Sequence, residues 1–373
     1  MDYVYLDNAA TTKPDEEILR SALEETKELY FNPSALYKGG MAAKKLIEKA
    51  RCDISSLFGG KKVIFTSCGS ESDNTAIFSF YKRGNAVFGE GEHSAVFNCC
   101  NLLKQKGCDV RLAKLRYGGA VDVDDLLSKI DEKTTFVSVG HVNNETGAVN
   151  DIDEIAAAVR RKAPDAIFHS DGVQGFGKIP ASLKNVDLYS VSAHKINGLK
   201  GTGALIFNER LLFSPLILGG GQEFGLRSGT ENVLGIRVFA ECAKKKYDKI
   251  NENYERVSAL RADFIDGLDK SLFRIISPEN CSPYIVSFSA VGLRGQVVQA
   301  MADDEGVIIG TGSACSSKKP HSRIISAFEK NGKVLDGMLR AGFSPETTAE
   351  DILKAVKVLN AVTARLSGKI NVR

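Results

Sequence analysis

Long apolar runs are missing from this sequence. No segment approaches the roughly 18 consecutive apolar residues that are needed to cross a bilayer. The first residues, MDYVYLDNAA, also lack the basic region and the apolar region of a secretory signal. We therefore expect a cytoplasmic protein that does not insert into a membrane.

A strong charge imbalance is absent as well. Lys and Arg number 49 and Asp and Glu number 46, which gives a formal net charge of +3. Nucleic acid or a membrane surface is therefore not expected as the main partner, although a small anionic ligand stays possible. The 373 residues, of which 43% are hydrophobic and 25% charged, are typical of a globular protein with one large domain or two moderate ones.

Closely spaced cysteine pairs of the C-x-x-C type do not occur among the eight cysteines, which argues against a zinc knuckle or a thioredoxin motif. In a reducing cytosol we expect most of them to be small buried hydrophobic residues. Cys315 differs because it lies in the small-residue segment GTGSACSS (310–317), just before Lys318, Lys319 and His321. Nearby positive charge favours a thiolate, so Cys315 is either a reactive thiol or an exposed loop cysteine without function.

Internal repeats and low-complexity segments are also missing, and what remains is a regular alternation of strand and helix patterns. The predicted strands between about residue 60 and 207 are Val63–Thr66, Ala86–Gly89, Asp109–Ala113, Thr135–Val139, Ala166–Ser170, Leu188–Ser192 and Ala204–Phe207. The predicted helices between them include Glu71–Lys82, Ala95–Lys106 and Ile152–Lys162. This alternation is typical of an α/β fold with a mostly parallel sheet, which binds ligands at the carboxyl ends of its strands.

A second, smaller domain is predicted in the C-terminal part. After the Gly-rich LGGGQEFG (218–225), the pattern predicts one long helical region from Glu231 to about Leu272. The predicted elements beyond it are strands Tyr284–Ser289, Val307–Gly310 and Met338–Phe343, helix Gly295–Ala302 and a terminal helix from about Thr348. We therefore predict a large domain of residues 15–259 and a smaller α+β domain of residues 1–14 and 260–373.

Two motifs follow predicted strands of the large domain. In SCGSESDN (67–74) a strand enters a small-residue turn and then a helix, so free backbone N–H groups and the Ser70 hydroxyl could bind an anion. The alternative is an ordinary capped turn in which Glu71 and Asp73 follow Ser70. In FHSDGVQG (168–175) the strand ends at Asp171, which is either a carboxylate at the ligand-binding edge or a structural cap.

The segment VSAHKI (191–196) adds a lysine, Lys195, at the end of an interior strand. Such a lysine is usually solvated, but there it can be desolvated and nucleophilic. Pyridoxal phosphate needs an amine for its Schiff base, a carboxylate for its pyridine nitrogen and an anion site for its phosphate. Lys195, Asp171 and the turn at Ser70 would supply all three. His93 follows another predicted strand and either stacks on the pyridine ring or is a structural histidine. We expect His141 and His169 to be structural histidines.

Together these residues resemble a known family. The sequence is similar to the cysteine desulfurases of the NifS/IscS type, which belong to the class V aminotransferase group of fold-type I pyridoxal-phosphate enzymes. The resemblance covers nearly the whole chain. Its motifs, in order, are YLDNAATT (5–12), NPSALY (32–37), TSCGSESDN (66–74), EHSAV (92–96), NNETG (143–147), HSDGVQ (169–174), SAHK (192–195), GGGQEFGLRSGTEN (219–232), GSACSS (312–317) and LRAGFSPETT (339–348).

The resemblance implies a role for individual residues. Lys195 matches the Schiff-base lysine, Asp171 the partner of the pyridine nitrogen, Gln174 a donor to the phenolic oxygen, and His93 the histidine stacked on the ring. The implied phosphate ligands are Gly69, Ser70, Ser192 and His194, with Thr230 donated from the other subunit of a homodimer. The implied ligands of the substrate carboxylate are Asn32, Asn144 and Arg340, of which the arginine suits an anion. Cys315 matches the cysteine that takes the sulfur, and no metal is expected.

The implied activity converts L-cysteine to L-alanine and leaves the sulfur on Cys315 as a persulfide. An acceptor protein would then use it for iron–sulfur cluster assembly, tRNA thiolation or a related pathway. One alternative is a relative with another leaving group, either a selenocysteine lyase or a cysteine sulfinate desulfinase, for which Cys315 would not be required. The other alternative is a catalytically silent scaffold that binds the cofactor.

Three departures from the family pattern are visible. Phe224 stands where the family usually has arginine, and the segment between Cys315 and Pro320 is about two residues shorter than in long-loop members. At 344–346, SPE replaces a common Ser-Arg-aromatic sequence. None of these changes removes a residue that the chemistry requires.

Overall fold

A computed structural model of the chain describes residues 3–81, 83–211, 214–312 and 321–371. The predicted reactive thiol, Cys315, lies outside the described residues, together with most of its GSACSS motif. Among the described helices, none combines the length and the apolar character that crossing a bilayer requires.

A seven-stranded sheet forms the larger layer of the molecule. Its strands are β2 (Lys62–Thr66), β3 (Asn85–Gly89), β4 (Asp109–Ala113), β5 (Thr134–Ser138), β6 (Ile167–Asp171), β7 (Leu188–Ser192) and β8 (Gly203–Phe207), and their order is β2-β8-β7-β6-β5-β3-β4. Of the strands described in this sheet, β8 alone runs opposite to the other six, so its pairs with β2 and β7 are antiparallel. The predicted α/β fold and its seven strands are therefore confirmed.

Helices cover both faces of this sheet. Alternate strand residues point to opposite faces, so Val63 and Phe65 join one apolar cluster while Ile64 joins another. The first cluster includes side chains of α1 (Glu16–Thr26), α2 (Lys38–Ser56), α5 (Val123–Ser128), α6 (Ile152–Lys162) and α7 (Val233–Asp248). The second includes side chains of α3 (Gly69–Phe80) and α4 (Ser94–Gln105). Burial on both faces explains why these strands are almost continuously apolar.

A five-stranded sheet forms the smaller layer. Its strands are β1 (Val4–Leu6), β9 (Phe273–Ile275), β10 (Ile285–Ala290), β11 (Val307–Thr311) and β12 (Met338–Gly342), in the order β1-β11-β12-β10-β9. Strand β1 pairs in parallel with β11, where Val4 lies opposite Val307. The helices of this part are α8 (Ile250–Gly267), α9 (Gly295–Asp304), α10 (Arg323–Phe328), α11 (Gly332–Asp336) and α12 (Ala349–Asn371). The predicted domain boundaries stay predictions.

The prediction of a single long helix from Glu231 to about Leu272 is wrong. Two helices occupy this region, because Lys249 between them has non-helical backbone angles (φ −119°, ψ 20°). No glycine or proline marks this break in the sequence. The second helix ends at Gly267, one of the glycines in the predicted region.

Two of the departures from the family pattern have visible structural consequences. Phe224 is exposed and adopts a left-handed backbone conformation (φ 62°), with its ring 4.7 Å from the guanidinium of Arg51. Arg51 is buried and forms an ion pair with Glu223 at 2.6 Å. In the SPE segment, Glu346 forms an ion pair with Lys246 of α7 at 3.1 Å. Both departures therefore lie in segments that are bound to the helices behind them.

Candidate active site

A cavity of about 610 Å³ lies where the carboxyl ends of the central strands meet the smaller sheet. Most of the residues that the resemblance assigned to a site line it. These are Gly69, Ser70, His93, Asn144, Asp171, Gln174, Ser192, His194, Lys195 and Arg340. Asn32 and Thr230 are exposed and do not line the cavity of this single chain. Gly312 and Ser322, which flank the segment that carries Cys315, do line it.

Lys195 enters the cavity from a short 3-10 helix, Ala193–Lys195, that directly follows β7. Its Nζ atom donates hydrogen bonds to the carbonyl oxygens of Ala9 and Ala10, both at 2.7 Å. The N-terminal motif YLDNAATT therefore contributes backbone to the same site as the lysine.

Asp171 is the last residue of β6 and is buried. Its Oδ1 accepts a hydrogen bond from the backbone N–H of Val173 at 2.9 Å. Burial raises the pKa of Asp171, and the charges of Lys195 and of His93 when it is protonated oppose this shift. The carboxylate is thus held at the predicted edge of the sheet, where a positively charged partner would stabilise it.

Asp73 of α3 is a buried acid that the sequence analysis did not assign to the site. Its Oδ1 is buried without a hydrogen-bond partner, and ligand atoms of Asp73, His93 and Asp171 lie within 4.8 Å of one another. Burial and the charge of Asp171 raise the pKa of Asp73 well above its usual range. Such a cluster can bind a metal ion or a protonated ring nitrogen, and the neighbouring amine of Lys195 favours the second.

His93 is the N-cap residue of α4. Its Nδ1 accepts a hydrogen bond from the backbone N–H of Ala95 at 3.2 Å, which leaves the proton of the neutral ring on Nε2. Burial lowers the pKa of His93, against the opposing charge of Asp171. The imidazole is therefore oriented by the helix and favoured in its neutral form.

The N-terminus of α3 forms the other end of the cavity. The first N–H groups of a helix have no partner within the helix and bind anions. Gly69 is required there, because a Cβ atom at this position would lie 2.6 Å from Cγ2 of Val173. Ser192 Oγ is buried without a hydrogen-bond partner. His194 also lines this cavity, and burial together with nearby lysines lowers its pKa to about 4. This end offers neutral donors to an anion.

Arg340 of β12 lies at the side of the cavity that the smaller sheet provides. Its Nη2 forms an ion pair with Asp7 Oδ1 at 2.9 Å, and its Nη1 donates to the carbonyl oxygen of Asn144 at 2.8 Å. Its Nε is buried without a hydrogen-bond partner. The guanidinium is therefore held in place with its Nε–H left for a ligand.

Two further acids line the cavity and were missed as site residues. Glu92 Oε1 accepts the N–H of Gly140 at 2.7 Å, whereas its Oε2 has no hydrogen-bond partner, and burial raises its pKa to about 8. Glu145 is half-buried, and desolvation raises its pKa to about 7. Both belong to motifs already quoted, EHSAV and NNETG, which was the only signal for them in the sequence.

Comparisons with known proteins identify the family of this chain. The family model described as Aminotransferase class-V matches residues 4–354. A cysteine desulfurase IscS of Dictyoglomus turgidum is 35% identical over 376 residues, which cover 97% of this chain and 95% of that protein. The cysteine desulfurase NifS of Azotobacter vinelandii is 34% identical, with coverage of 97% and 93%. A solved structure of a NifS-like protein superimposes with a TM-score of 0.91 at 30% identity, with coverage of 97% and 99%.

Proposed function

We propose that this protein binds pyridoxal 5'-phosphate in its cavity and transfers sulfur from L-cysteine to Cys315. The chain belongs to the class V aminotransferase family and, within it, to the NifS/IscS-type cysteine desulfurases. One observation carries this proposal. The amine of Lys195, the buried carboxylate of Asp171 and the N-terminus of α3 meet in one cavity.

The described residues fit the cofactor. Ser192 Oγ lacks a partner beside the Cβ-free Gly69, as expected of a phosphate site that the protein alone does not satisfy. We assign the phosphate to Gly69, Ser70, Ser192 and His194, the pyridine nitrogen to Asp171, the ring face to His93 and the phenolic oxygen to Gln174. When bound, the cofactor supplies an electron sink for negative charge at the substrate α carbon.

The chain's own groups would bind and orient the substrate. Arg340 and Asn144 hold its carboxylate, with the unpartnered Nε of Arg340 as a donor. Asn32, which is exposed and outside the cavity of the single chain, is assigned to the same set on the resemblance alone. Lys195 takes the α proton, since its Nζ is already fixed against the carbonyl oxygens of Ala9 and Ala10. Cofactor, substrate and base thus share one enclosed volume.

The sulfur step is assigned to Cys315. Its thiolate attacks the substrate sulfur, so an S–S bond forms while the Cβ–S bond breaks. The persulfide stays on Cys315, the substrate Cβ takes a proton to become the methyl group, and the α carbon takes back the proton held by Lys195 to give alanine. Gly312 and Ser322, on either side of the Cys315 segment, line the cavity and support this assignment.

We further propose a homodimer and an external sulfur acceptor. Thr230 is exposed in the single chain, as expected of a phosphate ligand donated to a partner subunit. Leu218 and Phe224, in the same Gly-rich region, are 81% and 63% exposed, which suits an apolar contact between subunits. The acceptor would be a protein of iron–sulfur cluster assembly or tRNA thiolation, and the cytoplasmic location stays a prediction.

Peptide mass spectrometry after brief exposure to L-cysteine and thiol trapping tests the proposal. We expect one added sulfur on the Cys315 peptide together with free alanine. Cys315→Ala and Lys195→Ala should each lose alanine formation, and Cys52→Ala and Lys200→Ala, both at exposed positions, are the matched controls. Alanine without the persulfide, or activity retained in Cys315→Ala, would instead indicate the lyase or desulfinase alternative.

A further inference from the structure

A second cavity adjoins the candidate active site at Lys195, which lines both. It lies between the two sheets, because Lys178 follows β6, whereas Tyr284 precedes β10 and Phe343 follows β12. Its volume is about 10 Å³, so it has room for one occupant about the size of a water molecule. Among its described lining residues, Lys195 alone has been assigned to the cofactor or the substrate.

Lys178 brings an ammonium group to this second cavity. The residue is 5% exposed, and its Nζ donates one hydrogen bond, to Gln174 Oε1 at 3.0 Å. An ammonium group has three N–H donors, and in the part of the chain that the structure describes Lys178 forms no ion pair. Buried charges in proteins are normally paired, so this ammonium lacks a counter-charge.

Tyr284 brings a hydroxyl group to the same cavity. The residue is 3% exposed, and its hydroxyl is buried without a hydrogen-bond partner. Burial raises the pKa of Tyr284, so the hydroxyl keeps its proton and is a donor. The centroid of its ring lies 6.0 Å from Lys178 Nζ. A buried donor without an acceptor is costly, so a ligand that accepts its hydrogen bond would stabilise the protein.

Positive charge surrounds Lys178. Lys195 and Lys246 line the same cavity, and burial, together with the charges of these two residues and of Arg340, lowers the pKa of Lys178 well below its usual range. Glu346 supplies a carboxylate, but it forms an ion pair with Lys246 at 3.1 Å. An anion in the second cavity would therefore be attracted by neighbouring cations.

The size and the walls of the second cavity restrict the kind of anion. A volume of about 10 Å³ is too small for a carboxylate or a phosphate group, whereas a halide is a single sphere. Ile196, Phe343 and Pro345 contribute apolar surface to the walls. A halide can contact such walls and still accept hydrogen bonds from N–H and O–H donors.

We propose that the second cavity binds a small monovalent anion, of which chloride is the example, between the ammonium of Lys178 and the hydroxyl of Tyr284. The anion supplies the counter-charge that Lys178 lacks and the acceptor that Tyr284 lacks. This inference goes beyond the proposed function and does not depend on it, because neither group takes part in the assigned chemistry.

The first test measures the melting temperature of the full-length protein, with the cofactor and after its removal. At constant ionic strength, replacing about 200 mM sodium gluconate by sodium chloride should raise the melting temperature by about 2 °C or more. Gluconate is the control anion because it is too large for the cavity. An equal melting temperature in the two salts would overturn the proposal.

Variants of the two donors locate the effect. In Tyr284→Phe and in Lys178→Met, the difference between chloride and gluconate should fall below about 0.5 °C, because each variant removes one donor. Tyr81→Phe, whose hydroxyl donates to the carbonyl oxygen of Gly84 instead, and Lys184→Met, at an exposed position, are the matched controls and should keep the full difference. A difference that persists in both donor variants would contradict this site.

Glu346→Gln tests the sign of the charge effect. It releases Lys246 from its carboxylate partner, so the affinity for chloride, obtained from the dependence of the melting temperature on chloride concentration, should increase about threefold or more. A purely structural role of this region does not predict tighter anion binding. Glu350→Gln, at an exposed position of α12, should leave the affinity unchanged, and unchanged or weaker binding in Glu346→Gln would contradict the proposal.

Bromide makes the site directly visible. In crystals soaked in sodium bromide, we expect an anomalous difference peak within hydrogen-bond distance of Lys178 Nζ and of the Tyr284 hydroxyl. Bromide peaks at other positions only would overturn the proposal. If Lys178→Met does not fold, Tyr284→Phe and this peak decide.

Discussion

Lys178 Nζ donates a hydrogen bond to the amide oxygen of Gln174 at 3.0 Å, and both residues are buried. Because the amide oxygen takes this bond, Gln174 Nε2 faces the carbonyl oxygen of Ala9 at 2.8 Å. The same carbonyl accepts from Lys195. A lysine outside the assigned site thus orients the residue assigned to the phenolic oxygen.

Lys178→Met should therefore have two separable effects. Burial lowers the pKa of Lys178 well below its usual range, helped by the charges of Lys195, Lys246 and Arg340. For a base with a lowered pKa, stability is present above the unfolded pKa of about 10.4 and is lost as the pH falls towards the folded pKa. The melting temperature of the variant relative to wild type should rise from pH 10 to pH 6.

The second effect of Lys178→Met is on the cofactor, whose Kd should increase by about threefold to tenfold because Gln174 is no longer oriented. Lys184→Met, at an exposed position, is the control and should change neither quantity. A difference in melting temperature that does not vary with pH would contradict the assigned direction of the Lys178 pKa.

Ser192→Ala should weaken cofactor binding and stabilise the cofactor-free protein. Its hydroxyl is buried without a partner, so its removal should raise the free energy of unfolding of the cofactor-free protein by about 1 kcal/mol. The cofactor should bind about tenfold more weakly, since a phosphate ligand is lost. Ser190→Ala is the contrast, because Ser190 Oγ is hydrogen-bonded to His169 at 2.9 Å and its loss should destabilise. Denaturant unfolding and cofactor titration measure both quantities, and a destabilised Ser192→Ala would argue against a phosphate ligand here.

Gly69→Ala should damage the anion-binding end of the cavity. The added methyl group would lie 2.6 Å from Val173 Cγ2, so the N-terminus of α3 must shift, at a cost of about 1–3 kcal/mol in stability. The shift should also weaken binding of the cofactor phosphate, measured by equilibrium dialysis. Gly332→Ala on α11 is the matched control, because nothing lies within 4 Å of its added Cβ. Equal behaviour of the two variants would show that the close approach at Gly69 is unimportant.

Glu92→Gln should become progressively more stable than wild type as the pH increases. An acid whose folded pKa is raised to about 8 contributes stability below its unfolded pKa of about 4.3 and loses it as the pH rises through about 8. Glutamine keeps the acceptor for Gly140 N–H but does not ionise. The difference in melting temperature should grow from pH 5 to pH 8.5. Glu209→Gln, on the surface, is the control, and its melting temperature relative to wild type should not change with pH. If the melting temperature of Glu92→Gln relative to wild type is also independent of pH, the raised pKa of Glu92 is wrong.

Much of the fold and the reactive groups could be predicted from local sequence. The central strands are short apolar runs between turns, and Asp171 and Lys195 stand at their ends, where a parallel sheet places its ligands. Asp73 and Glu92 could not be predicted as buried, because a charged residue in a sequence is normally solvated and only tertiary packing places these two inside. The helix break at Lys249 was equally hidden, since no helix-breaking residue occurs there.

The parallel pairing of β1 with β11 has a consequence for how the protein is made. Val4 leaves the ribosome about 300 residues before its partner Val307, so this contact closes late relative to the sheet whose strands lie between them. Ala9 and Ala10, just after β1, supply the carbonyl oxygens that hold Lys195. A nascent chain that has completed the seven-stranded sheet would therefore still lack β11, which pairs with β1, and β12, which carries Arg340, so this side of the cavity is completed last.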